Sequence, residues 1–259
     1  MKELSEIPFQ PCDYSPKTPQ EKAFFEKNDG VSQFMKEAYE AYGVMRFAGA
    51  PYMRQPQVDH HNRGEESIAA HMWAVGLLWE VTYPIMPHLT KIIDPEKVHR
   101  YVRIHDIGEI GDGDVSVVRQ FNGEGKNRAQ REEVVFSEIS SLLPTESQIF
   151  IRQTHDQYEK EKNDYQTQNK EVLLAKMFDT LQGDHFVLTQ GINFEDHSDI
   201  HKRIVIAKLL PFSKQLQKLL HDSDQIEAIE EVNLLIKHHL YLYQQKGISI
   251  ESYLGEVTQ

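Results

Sequence analysis

Apolar residues along this chain recur every three or four positions far more often than every second one, the spacing of helices rather than strands. Between Glu21 and Tyr42, Phe24, Phe25, Val31, Phe34, Met35 and Tyr39 offer an inner face, and Gly43 is a natural stop. Ser67 is placed to cap a helix over 68–81 whose inward stripe is Ile68, His71, Val75, Leu78 and Trp79. Asp94-Pro95-Glu96 marks another start, with Asp94 as the cap and Pro95 at the first helical position. That helix is expected to run through Val98, Tyr101 and Val102 into His105-Asp106, with Ile104, Ile107 and Ile110 at helical spacing. A helix over 129–142 has Val134, Val135, Ile139 and Leu142 inward, and another covers 146–160. The segment 170–187 is apolar almost all round yet contains Asp179, whose neighbours Ala175 and Gly183 leave room beside the carboxylate. Pro211 is expected to kink or divide a helix over 199–221. A last helix over 225–244 offers Ile226, Ile229, Val232, Leu235, Ile236 and Leu240 to the core.

The stretches between these patterns are informative in a different way. Residues 1–20 hold prolines at 8, 11, 16 and 19 and read as an irregular arm. Segment 44–66 carries Arg46, Arg54, His60, His61 and Arg63, too long and charged for a tight turn, and is expected to border a pocket. Residues 111–128 form a glycine-rich polar loop with Asp112, Asp114, Lys126 and Arg128, and 188–198 is a further loop. The fold class is therefore all-α. The expected organisation is an arm over 1–30, a core over 31–190 and a C-terminal helical extension over 191–259 packed on that core.

Composition narrows the function classes. The 259 residues are 39% hydrophobic and 26% charged, enough for a sizeable core, and no apolar run approaches the roughly 20 residues that span a bilayer. The start, Met1 to Glu6, lacks an apolar signal region, so a cytoplasmic location is expected. The single Cys12 excludes an intramolecular disulfide and a thiolate cluster. A formal charge of -12 argues against binding nucleic acid backbones or anionic membranes. An anionic substrate would then need local cations, from a metal or from Arg and Lys.

The candidate chemistry lies on the inward faces. A helix seldom turns an adjacent His and Asp toward its apolar side unless something satisfies them. His71, His105-Asp106 and Asp179 sit on three different helices, and two imidazoles with two carboxylates suit a divalent ion with positions left for water or substrate. A buried hydrogen-bond network among the same residues is the alternative. A second pair, His155-Asp156, lies in a more polar segment without matching partners and reads as a surface feature or one step removed from the site.

In order along the chain, His71 in "ESIAAHMWAV", His105 and Asp106 in "IHDIGEIGDGDV" and Asp179 in "LLAKMFDTLQG" resemble the ligand pattern of the HD-domain metal-dependent phosphohydrolases, over roughly residues 30–190. Within that family the chain is similar to the branch of 5'-deoxynucleotidases: Glu109 and Gly113-Asp114 match, as do "REEVVFSEISSLLP" at 131–144 and Tyr158-Glu159. It departs from that branch at Ala70, where an acidic residue is common, and in lacking an adjacent Arg-Trp pair. Ile110 after Glu109 sets it apart from the alarmone hydrolases. The resemblance implies an HD-domain helical bundle with additional C-terminal helices and one divalent metal ion held by His71, His105, Asp106 and Asp179. The mixed nitrogen and oxygen donors favour Mn, Co, Fe, Ni or Zn over Mg. Glu109 would orient or deprotonate the attacking water, Asp114 would align the substrate or protonate the leaving oxygen, and Arg54 and Arg63 would contact phosphate. The implied partner is a small phosphorylated metabolite, a nucleoside 5'-monophosphate or similar ester. Hydrolysis of a phosphodiester or a dNTP, a noncatalytic metal- and nucleotide-binding module, and a helical interaction protein using 225–244 are the alternatives, and a homodimer is left open.

Overall fold

The computed structural model describes residues 15–47, 66–111, 113, 127–191 and 202–248. Thr18 accepts from the Glu21 N–H while the Glu21 carboxylate accepts from the Thr18 N–H, a capping box that starts α1 (Pro19–Ala38). A 3₁₀ turn over Tyr39–Tyr42 leads to the strand β1 (Met45–Arg46), which pairs antiparallel with β2 (Glu66–Ser67). This ribbon was not expected; two-residue strands are too short for an alternation to register. It delivers the chain to Ser67, whose Oγ accepts from Ala70 N–H and caps α2 (Ile68–Thr82). Asp94 caps α3 (Pro95–Ile104) in the same way, through Lys97 N–H. α4 (Arg128–Ser140), α5 (Thr145–Glu161), α6 (Lys170–Gln190), α7 (Leu210–His221) and α8 (Ile226–Gln245) complete the chain order.

The bundle is built around α6, which buries Leu173, Leu174, Met177, Phe178 and Leu181 among others on several sides. One hydrophobic cluster joins α2, α3, α6, α7 and α8, with Trp79, Tyr101, Phe178, Leu216 and Val232 among its members. Each large side chain so buried contributes about 1.5–3 kcal/mol. Trp79 meets the Phe178 ring edge-on at 4.9 Å and donates its indole N–H to the Pro95 carbonyl at 3.1 Å. A smaller cluster of Phe34, Ile107, Phe136 and Ile139 lies between α1, α4 and the turn after α3. The C-terminal helices are also tied by polar contacts: buried Asp184 on α6 accepts from the Tyr243 hydroxyl at 2.7 Å and faces His239 Nε2 at 3.3 Å. Among the described residues no helix is long and apolar enough to cross a membrane.

Several inner faces differ from the periodic expectation. On α1 only Phe34 is buried, and Phe24, Phe25 and Met35 are exposed, as is Tyr39 in the turn that follows, because α1 packs along one narrow line. On α4 Val134 points outward and Phe136 takes the inner place, while Ile226 at the start of α8 is exposed. Helix α3 ends at Ile104, one residue before the His-Asp pair. The chain then turns at Asp106 (φ -112, ψ 10) into a 3₁₀ turn over Ile107–Ile110. Gly108 permits this, since a Cβ there would come within 2.8 Å of the Glu132 carbonyl oxygen on α4.

Pro211 acts as expected, with a consequence for the turn before it. Lacking an N–H, it cannot donate to the Ala207 carbonyl four residues back, and the chain widens into a π-helical turn over Val205–Leu209. The Tyr165 hydroxyl donates to the Ala207 carbonyl instead, at 3.0 Å.

Candidate metal centre

Four side chains from three helices converge. His71 lies one turn inside α2 and is fully buried; His105 is the C-cap of α3, Asp106 follows it, and Asp179 comes from the middle of α6. His71 Nε2 and His105 Nε2 are 3.2 Å apart. Asp106 Oδ2 lies 3.6 Å from the first and 3.3 Å from the second, and Asp179 Oδ1 lies 3.1 Å and 3.6 Å from them. His71, His105 and Asp106 each offer a donor atom, all within 4.8 Å of one another. The two Asp side chains keep 15% and 13% of their surface exposed, so the cluster opens on its carboxylate side.

The outer nitrogen of each imidazole decides what the inner one can do. His105 Nδ1–H donates to the Val102 carbonyl at 2.9 Å. His71 Nδ1 meets Gln182 Oε1 at 2.5 Å, and the Gln182 amide nitrogen donates to Glu66 Oε1 at 2.7 Å, which leaves Oε1 of Gln182 to accept from His71. Arg46 holds the other Glu66 oxygen at 3.0 Å. In the neutral Nδ1–H form of both rings, both Nε2 atoms present lone pairs to each other and to two carboxylates. Lone pairs and anions gathered at 3.1–3.6 Å call for a shared positive charge. A divalent ion fits this donor set, and the tautomers are those it requires.

Without an ion, a proton on His105 supplies part of that positive charge. Burial opposes charge on His105, but Asp106 and then Asp179 outweigh it, and its pKa is pushed up to about 9. Burial likewise works against the Asp106 anion, yet His105 holds its carboxyl well below the usual range. Asp179 is also held low, against burial, first by Lys176 and then by the two imidazoles. Lys176 Nζ donates to Asp179 Oδ2 at 2.5 Å, so the other oxygen turns toward the imidazoles. Tyr158 packs edge-on against His105 with ring centroids 6.1 Å apart.

Glu109 lies on the turn after Asp106 and is buried. Arg128 holds its Oε1 and also pairs with Glu132, while Glu109 Oε2 has no hydrogen-bond partner among the described residues. Asp112, Asp114, Lys126, Arg54 and Arg63 lie outside the described residues. Their neighbour Gly113 has φ +78, a backbone conformation that suits glycine.

Sequence reasoning missed Glu66, Lys176 and Gln182. Lys176 and Gln182 stand three residues before and after Asp179 on a nearly all-apolar helix, a legible signal; Glu66 gives none. The surface reading of the His155-Asp156 pair holds for Asp156 and fails for His155. It is buried, with its ring stacked on Phe136 at 3.6 Å, and only Asp156 faces solvent. Glu133, His155 and Asp156 also lie close enough to suggest metal donors, but Arg152 already sits 2.6 Å from Glu133 and 3.9 Å from Asp156.

Comparison with protein families matches residues 52–220 to the HD domain. No curated protein matches the chain. Among solved structures, a predicted metal-dependent phosphohydrolase from Magnetospirillum magnetotacticum MS-1 shares its fold with a TM-score of 0.51. That likeness covers 82% of this chain and 96% of the other at 16% sequence identity, and bears on fold alone.

Proposed function

The chain belongs to the HD-domain family of metal-dependent phosphohydrolase enzymes, and from this premise we propose that it hydrolyses small phosphomonoesters, with nucleoside 5'-monophosphates as the leading substrate class. The observation that carries the reading is the pair of Nε2 atoms 3.2 Å apart, flanked by Asp106 and Asp179. His71, His105, Asp106 and Asp179 would hold one divalent ion, with Mn, Co, Fe, Ni or Zn suiting these donors better than Mg. When bound, the ion supplies Lewis acidity, which lowers the pKa of water and offsets phosphoryl charge.

The protein's own groups do the rest. Gln182 and the Val102 carbonyl keep both imidazoles in the Nδ1–H form. Lys176 fixes the Asp179 carboxylate. Glu109, held by Arg128 through one oxygen, has no hydrogen-bond partner on its second oxygen among the described residues and serves as the base that takes a proton from the attacking water. Asp114 protonates the leaving oxygen, and Arg54 and Arg63 bind phosphate. The matches at Glu109, Gly113-Asp114, 131–144 and Tyr158-Glu159 support the nucleotidase branch.

The test is phosphate release from deoxynucleoside and ribonucleoside monophosphates, sugar phosphates, a phosphodiester and dNTPs, using metal-stripped protein refilled with each ion. Release from monophosphates above all others is expected. A preference for the diester or for dNTPs would replace this substrate class while leaving the metal centre standing.

A further inference from the structure

Helix α2 is apolar on both sides, and only one side is covered. Its inner face carries His71, Val75 and Trp79 into the core. Its outer face places Trp73, Leu77 and Val81 four residues apart, with Ile85 next in line in the 3₁₀ turn over Tyr83–Ile85. These four are 69%, 44%, 60% and 75% exposed. A helix that is hydrophobic all round is normally buried all round. Glu80 is the one Asp, Glu, Lys or Arg between residues 68 and 85, and His99 Nδ1 already stands 3.3 Å from its carboxylate. On α8, by contrast, the exposed Ile226, Leu234 and Tyr241 are separated by the exposed charges of Glu230 and Lys237.

The shape of this face selects its partner. Residues spaced by four form a ridge along a helix, and the next such row sets the depth of the groove beside it. Here the ridge is Trp73, Leu77, Val81 and Ile85, and the row beside it begins with Ala70 and Ala74, whose small side chains leave the groove open. The surface is therefore complementary to itself. Turned about a two-fold axis at Leu77, the ridge of one copy lies in the groove of another, with the large Trp73 against the smaller Val81 and Leu77 against its mate. The stripe exposes about 400 Å² of apolar surface per copy, at the upper end of what a monomer leaves bare. Two copies bring about 800 Å², most of the roughly 1,000 Å² that a stable pair needs, and the flanking alanines and Pro84 add to it. Charge points the same way: each chain carries a formal -12, so two copies repel except where the surface is neutral, as it is here.

We propose that the outer face of α2 is the contact between two copies of this chain, an isologous pair centred on Leu77. The inference is independent of the phosphohydrolase reading. It sets the helix that carries His71 between its own core and a second molecule, and it gives the outward apolar residues of that helix their cover.

The experiment measures mass in solution by sedimentation for full-length wild type, Leu77→Glu and, as a control on α8, Leu234→Glu. Wild type and the control should sediment at twice the chain mass of 30.1 kDa at micromolar concentration. Leu77→Glu sets two carboxylates face to face at the axis and should weaken association at least about a hundredfold, giving the single-chain mass with an unchanged helical circular dichroism spectrum. Because Trp79 is buried, acrylamide quenching reads Trp73, which should be shielded in wild type and quenched in Leu77→Glu. A cysteine scan keeps the proposal testable if Leu77→Glu does not fold. In a Cys12→Ser background, Leu77→Cys should join two chains under mild oxidation and Leu234→Cys should not. A wild type of single-chain mass overturns the proposal, whether its stripe then binds phosphatidylcholine vesicles or nothing. So does a Leu77→Glu protein that stays paired, or a Leu77→Cys protein that forms no cross-link.

Discussion

Replacing Gln182 by Met would keep nearly the same volume and remove both of its hydrogen bonds. The His71 Nδ1–H would lose the acceptor at 2.5 Å, and Glu66 Oε1 would lose the donor at 2.7 Å. Both groups are buried, and a buried polar group left without its partner costs about 1–3 kcal/mol. One fallback exists: Glu66 Oε2 stands 3.7 Å from His71 Nδ1, too far for a good hydrogen bond but near enough to be drawn in. Metal-stripped Gln182→Met should therefore lose about 2–4 kcal/mol in urea unfolding. Its metal affinity, measured by competition against a chelator, should fall about ten- to a hundredfold, because the Gln182 oxygen is the acceptor within hydrogen-bond distance that fixes the His71 tautomer. Adding Glu66→Gln removes the fallback and should weaken the metal further. Unchanged metal affinity in a destabilised Gln182→Met protein would refute the tautomer argument and leave Gln182 a packing residue.

Three further outcomes follow from the same geometry. Glu109→Gln should retain the metal while kcat falls about 10²- to 10⁴-fold, as removal of a general base does; metal loss equal to that of Asp106→Ala would put Glu109 among the ligands instead. In metal-stripped protein the raised pKa of His105 makes stability depend on pH: its contribution is complete below about 6.5 and is lost as pH rises through about 9. At about 1.4 kcal/mol per unit that is about 3 kcal/mol, read by urea melts across the window, and the metal-loaded protein should show little of it. Gly108→Ala should cost about 1–3 kcal/mol, since the new Cβ would stand 2.8 Å from the Glu132 carbonyl and 2.9 Å from its Cβ. An unaltered melting temperature there would mean the turn and α4 part easily.

What the sequence disclosed was local or ordered along the chain. Ser67 and Asp94 act within three residues of themselves, and caps of that kind are visible in a string of letters; Thr18 caps in the same way but lies in a stretch read as an irregular arm. His71, His105, Asp106 and Asp179 were legible only as an ordered set, since each alone is an ordinary residue for its helix. Glu66 meets Gln182 across 116 positions, and no periodicity could join them. The inner faces of α1 and α4 misled for a related reason. Spacing shows that Phe24 and Phe34 can share a face, but only the neighbouring helices decide how wide a strip of that face is covered. The burial of His155 depends likewise on Phe136, on a different helix. Pro211 was read correctly as a break, yet the π turn before it also engages the hydroxyl of Tyr165, which arrives from 42 residues earlier.

The central claim is one divalent ion held by His71, His105, Asp106 and Asp179 and used for phosphoryl hydrolysis. Its most direct test is to titrate metal-stripped protein with Mn while following phosphate release from a deoxynucleoside monophosphate. The account predicts that release climbs linearly and breaks at one ion per chain, and that Asp179→Asn flattens the titration. A break at two ions per chain, or full ion binding without any release, would contradict it.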